Sequence, residues 1–131
     1  MATDALLTLQ PVVTKTATFN GGALTLAAGT PRRGLKVRII YSAATQASGS
    51  GVWNFSVDVS YNAGSTFASD FFADPPLTLS TTAQAGEVYI PFEISPTSVV
   101  NGTQIRVTAT LSGAPVTPTI TYQADITYGR P

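Results

Sequence analysis

Apolar and polar residues alternate along this chain with a period of two, most cleanly in five stretches. Leu35, Val37, Ile39 and Tyr41 fall on one face, with Lys36 and Arg38 opposite. Trp53, Phe55, Val57, Val59 and Tyr61 share a face, with Asn54, Ser56, Asp58 and Ser60 pointing outward. Val88, Ile90, Phe92 and Ile94 alternate with Tyr89, Pro91 and Glu93. Ile105, Val107, Ala109 and Leu111 alternate with Arg106, Thr108 and Thr110. Ile120, Tyr122, Ala124, Ile126 and Tyr128 alternate with Thr121, Gln123, Asp125 and Thr127. Each stretch predicts a strand with one dry and one wet face, as antiparallel sheets require.

Weaker strands are expected over residues 12–19, 23–27 and 67–72. Breakers separate the elements: Asn20-Gly21-Gly22, Gly29-Thr30-Pro31, Gly49-Ser50-Gly51, Pro75-Pro76, Asn101-Gly102 and Gly113-Ala114-Pro115. No stretch keeps a helical period over three turns. The pattern predicts an all-β fold, an antiparallel β-sandwich of jelly-roll or immunoglobulin-like type. Residues 12–131 form a single sandwich domain in this reading, and residues 1–11, with Leu6, Leu7 and Leu9, form its first strand or an N-terminal arm. Pro91 has no N–H to give to a ladder, so its strand is expected at an edge or at a bulge.

Composition narrows the chemistry. The 131 residues include no histidine and no cysteine, and only seven Lys/Arg and seven Asp/Glu, for a net charge of zero. The usual general base at neutral pH, the thiolate nucleophile and the best zinc or copper ligands are therefore missing. A neutral chain has no electrostatic pull toward nucleic acid or an anionic membrane, so neither is expected as a partner. Charged residues make up 11% of the chain, against about a quarter in an ordinary globular protein. Hydroxyls, small side chains and backbone must cover the exterior, a surface better suited to lying against protein than to diffusing free. Met1-Ala2-Thr3-Asp4 carries no basic or apolar leader pattern, so synthesis and retention in a cytoplasm, or release by lysis or assembly, is expected.

Catalytic and metal-ligating patterns do not form. Asp70 and Asp74 precede Pro75-Pro76, and Glu87 and Glu93 lie further on, without a coherent acid–base pair or a calcium-loop spacing. Serine has no base beside it and sits in no nucleophile motif. Phosphate-cradling glycine patterns do not occur. No catalytic residue, cofactor site or metal site is assigned. Arg32, Arg33, Lys36 and Arg38 form one basic cluster, expected as a solvated edge or half of a salt-bridged subunit contact. In a strict strand Phe71 and Phe72 point to opposite faces, so one ring is expected at the surface. A bulge that buries both is the alternative. Leu6, Leu7, Leu9, Phe71 and Phe72 are the candidate protein-contact residues.

Residues Ser60, Asn62, Gly64, Thr66 and Phe67 resemble the Asp-box hairpin of sialidase-like propellers, with Asn62 in place of the aspartate and Phe67 in place of the tryptophan. In such a hairpin Asn62 and Gly64 take the left-handed or turn conformations, Ser60 and Thr66 bond the turn backbone, and Phe67 is expected to fold back onto the core. It says nothing about catalysis, and one copy in a chain this short builds no propeller.

Across its whole length the chain is also similar in style to the capsid decoration, or cement, proteins of tailed bacteriophages. These are compact sandwiches or jelly rolls, low in charge, rich in Thr, Ala, Gly and Ser, and without cysteine. The resemblance implies a non-enzymatic protein made in the host cytoplasm and placed on the outside of the virion. There it would bridge major capsid subunits, as a homo-oligomer with a trimer favoured. A carbohydrate-binding sandwich using Tyr89, and a tail or fibre module of a virion, are the alternatives.

Overall fold

A computed structural model of the chain describes residues 7–25, 35–92 and 103–128. Its elements are ten strands: β1 (Leu7–Lys15), β2 (Phe19–Asn20), β3 (Leu24–Thr25), β4 (Leu35–Thr45), β5 (Ser48–Ser60), β6 (Ala68–Phe72), β7 (Leu77–Thr78), β8 (Gln84–Phe92), β9 (Gln104–Val116) and β10 (Thr119–Tyr128). All pairings are antiparallel. One sheet has four strands in the order β1-β10-β4-β8. The other has six, in the order β2-β9-β5-β6, with β3 also on β9 and β7 also on β5.

The order has a simple generator. Count β2 with β3, and β6 with β7, as two interrupted strands. The first strand then pairs with the last, the second with the next to last, and so on to β5 and β6 at the tip. That is one long hairpin of eight strands. Rolling it up adds the β10–β4 and β9–β5 pairings, which complete the two sheets. This connectivity is the jelly roll. In an immunoglobulin-like sandwich the first two strands lie side by side in one sheet, whereas here β1 and β2 belong to different sheets.

The period-two pattern fixes which side chains meet between the sheets. Trp53, Phe55, Val57 and Val59 of β5 and Ile105, Val107 and Ala109 of β9 are buried. They join one core with Leu35, Val37 and Ile39 of β4, Ile90 and Phe92 of β8, and Ile120, Tyr122, Ala124 and Ile126 of β10. Phe55 and Tyr122 meet edge to face, their ring centres 5.3 Å apart. Burial of each large side chain stabilises the fold by about 1.5–3 kcal/mol relative to exposure. Trp53 Nε1 and Tyr122 Oη are buried here with no hydrogen-bond partner among the described residues.

One end of the sandwich is tied by Gln46. Its Nε2 donates to the carbonyls of Gly49 (2.8 Å) and Leu79 (3.3 Å), and its Oε1 accepts from Gly51 N (2.8 Å). Gln46 N also donates to Ser80 O, and Ala47 N to Val116 O. The buried Gln46 amide thus joins the turn after β4 to the start of β5 and to the residue after β7, and Ala47 N ties the same turn to the end of β9.

Several expectations need correction. Ser56, Asp58, Ser60 and Thr108 point away from the core as the alternation requires, yet all four are buried rather than wet: Ser56, Ser69 and Thr108 close over Asp58, and Ser60 bonds into the turn that follows β5. Asp125 is buried as well, beside Arg38. Tyr61 is not on the dry face: β5 ends at Ser60, and the ring beyond it is 47% exposed. Gly49-Ser50-Gly51 and Gly113-Ala114-Pro115 are not breaks. They lie inside β5 and β9 and pair with each other, Gly51 opposite Gly113.

The weaker strands also shift. The first runs over Leu7–Lys15, so residues 7–11 belong to a paired edge strand of the sandwich, and Phe19 opens the next element. The third weak segment begins at Ala68, with Phe67 in the turn before it. Leu6, Leu26, Ala27, Arg32, Arg33, Glu93 and Ile94 lie outside the described residues. Pro91 does sit on an edge strand, since β8 ends the four-stranded sheet.

Candidate functional site

The most organised polar cluster lies on the outer face of the six-stranded sheet. Register builds it: Asp58 of β5 stands opposite Arg106 of β9 on one side and Ser69 of β6 on the other. Ser56, two residues earlier on the same face, stands opposite Thr108 and Phe72. Asp58 is 2% exposed and its carboxylate gathers four donors. Oδ1 accepts from Ser56 Oγ at 3.0 Å and Ser69 Oγ at 2.7 Å. Oδ2 accepts from Thr108 Oγ1 at 2.6 Å and Arg106 Nε at 3.2 Å. Burial alone pushes this carboxyl up, but the hydrogen bonds from Thr108, Ser69, Ser56 and Arg106 outweigh it and hold the group below its ordinary value of 3.8.

Arg106 is fixed twice. Its Nε is on Asp58, and its guanidinium carbon lies 4.1 Å from the centre of the Phe67 ring. Phe67 thus turns to the outer face instead of folding back onto the core. The turn that delivers it is closed as the resemblance implies. Ser60 Oγ accepts from Gly64 N (2.9 Å) and donates to Asn62 Oδ1 (2.8 Å). Asn62 Oδ1 accepts from Thr66 N (3.0 Å), and Asn62 Nδ2 donates to Thr66 Oγ1 (2.9 Å). Gly64 takes φ of +89° in this turn, a conformation that side chains disfavour.

The predicted contact residues separate. Leu9 is 5% exposed and belongs to the core, so it offers no docking surface. Leu7 is in β1, opposite Ile126. Phe71 packs inward, its ring centre 6.1 Å from that of Phe92, while Phe72 is 57% exposed. A register shift at Asp70 sits just before this pair. β1 lies beside β9 and β6 beside β8, at opposite edges of the sandwich, so β1, with Leu7 and Leu9, and β6, with Phe71 and Phe72, do not form one patch. Val12, Tyr61, Tyr89 and Val116 are the other large apolar side chains exposed among the described residues.

On the outer face of the four-stranded sheet, Arg38 lies 3.4 Å from Asp125, and Gln123 Nε2 reaches the same carboxylate at 3.4 Å. Tyr89 donates to Glu87 Oε1 at 3.1 Å, and Lys36 Nζ stands 5.7 Å from the Tyr89 ring centre. Among the described residues no three His, Cys, Asp or Glu side chains are grouped to hold a metal ion, and no helix is long and apolar enough to cross a membrane.

Sequence reasoning missed Asp58, Arg106, Ser69, Thr108 and Phe67 as a unit. The Ser56/Asp58 and Arg106/Thr108 spacings each place two polar groups on one strand face. Nothing in the sequence states that the two strands are neighbours in this register. No protein-family model, no curated protein and no solved structure matches the chain.

Proposed function

We propose that this protein is a capsid decoration protein of a tailed bacteriophage, which binds the outside of the head and stabilises the shell by bridging major capsid subunits. The observation that carries this reading is the character of the exterior. The chain is neutral and poor in charge, and two of its cations, Arg38 and Arg106, are already paired with Asp125 and Asp58. Mating such a surface with another protein removes few unpaired charges from water. Val12, Phe72, Tyr89 and Val116 meanwhile stand exposed on different strands, as multiple contacts with several neighbours require.

The mechanism is mechanical. Each copy adds a modest interface, and repetition around a closed shell multiplies it against the pressure of packaged DNA. No covalent chemistry is involved, and the copies associate with one another, as trimers by the resemblance. Particles that lack the protein should package DNA and then open at a lower temperature than complete particles. Equal heat resistance with and without it would contradict the reading. A carbohydrate-binding role would rest on Tyr89, and its ring already has Lys36 beside it. Loss of glycan-array binding in Tyr89→Ala would favour that role.

A further inference from the structure

A preorganised cation and an exposed ring share one face of the molecule. Phe72 stands opposite Ser56, which points to the outer side of the six-stranded sheet, and Asp58 and Arg106 form the next outward row. Phe72 is the most exposed aromatic side chain among the described residues. Arg106, whose side chain is 24% exposed, uses Nε on Asp58 and one broad face against Phe67. Its hydrogen bonding among the described residues leaves Nη1 and Nη2 for an outside acceptor. Asp58 cannot swing away, because Ser56, Ser69 and Thr108 hold it from three sides.

Most arginine side chains lose considerable freedom when they bind, and this one has lost it already. Arginine and large aromatics are also the side chains that dominate interface energies. The other outer face differs. There Arg38 meets Asp125 through Nη2 at 3.4 Å, with its Nε buried and without a partner among the described residues, and the Tyr89 hydroxyl is answered by Glu87.

We infer that the outer face of the six-stranded sheet, with Phe72 as its apolar anchor and Arg106 as its charged one, is the face turned to the capsid, and that Arg106 takes the carboxylate of an Asp or Glu side chain of the shell subunit. This rests on the decoration reading. A carboxylate is the protein group whose charge and two acceptor oxygens match the paired Nη donors. Phe72 fills an apolar recess of the same shell subunit, two strands away from Arg106 on this face.

The test uses shells of the parent particle stripped of this protein and rebound with purified full-length variants. With Phe72→p-benzoylphenylalanine, irradiation should attach the chain to the major capsid subunit, on a peptide that contains Asp or Glu. Tyr89→p-benzoylphenylalanine should not attach. Arg106→Lys, which keeps the charge but loses the planar fork and its stacking on Phe67, should weaken rebinding about tenfold or more, while Arg38→Lys leaves it unchanged. If Arg106→Lys fails to fold, the double variant Asp58→Asn/Arg106→Gln removes both charges together and should show the same loss. Attachment through Tyr89 in place of Phe72, or wild-type rebinding by the Arg106 variants, would overturn the assignment of this face and leave the decoration reading standing. Failure of the unmodified protein to rebind would overturn both.

Discussion

Asp58 shows what a single buried carboxylate does in this chain. It has given up water for three hydroxyls and a guanidinium, and it keeps its charge because those four donors favour the ionised form. Its folded value is depressed, so the stability it contributes is complete above the unfolded value near 4 and is lost as pH falls through the lower folded value. Denaturant melts taken from pH 5 downward should therefore show a steep loss of stability below about pH 4, and Asp58→Asn should flatten that slope. Removing the carboxylate outright, as in Asp58→Ala, should cost about 3 kcal/mol or more at pH 7, because Arg106 and three hydroxyls are left without their acceptor.

Tyr122 is the opposite case. Burial pushes its phenol up to about 12 from an ordinary value of 10.0, and its hydroxyl has no partner among the described residues. The raised value means that the neutral form stabilises the fold up to about pH 10 and that this contribution drains away as pH approaches 12. Tyr122→Phe should remove this alkaline loss. At pH 7 it should be neutral, or stabilising by up to about 1 kcal/mol, since it deletes a buried polar group that no described residue satisfies.

At the scale of elements, β5 and β9 are the spine of the larger sheet, and they explain both what was legible in the sequence and what was not. The inward set, Trp53 to Val59 and Ile105 to Ala109, could be read directly, because a period of two leaves no freedom about which side chains share a face. The outward set was assigned to the correct side but to water. Its burial depends on register with strands far along the chain: Asp58 meets Arg106 48 residues later. The glycine segments were misread for a related reason. Gly49 and Gly113 do adopt positive φ, +97° and +84°, as turn residues would, but each sits against the other strand's backbone and the ladder runs through them.

A Cβ at Gly113 would strike the carbonyl oxygen of Ser50, and one at Gly49 that of Ala114. Gly113→Ala should therefore destabilise by more than about 1 kcal/mol in a urea titration, from the conformational penalty and the clash together. A neutral effect would mean that the two strands do not approach this closely. Leu9 teaches the same lesson at an edge: the sequence leaves an apolar N-terminal segment as first strand or arm, and the pairing of β1 with β10 places Leu9 in the core instead of on a contact surface.

At the scale of the whole molecule, alternation and breakers sufficed for the class of fold, and the strand order then decides between its two candidate forms. Eight strands folded as one rolled hairpin give two outer faces of unlike character. The four-stranded face pairs Arg38 with Asp125 and Tyr89 with Glu87, and keeps Arg38 Nε buried without a partner among the described residues. The six-stranded face holds a rigid guanidinium and an exposed ring. None of this asymmetry could be read from composition, which reports a neutral and charge-poor chain without saying which charges are already satisfied. Partner and location are proposals that join this exterior to the style of capsid decoration proteins, and they stand or fall together. Electron microscopy of intact particles from the parent phage is the most direct measurement. The account predicts density for this sandwich on the outer surface of the head, bridging adjacent shell subunits, and density at the tail or no association with particles would contradict it.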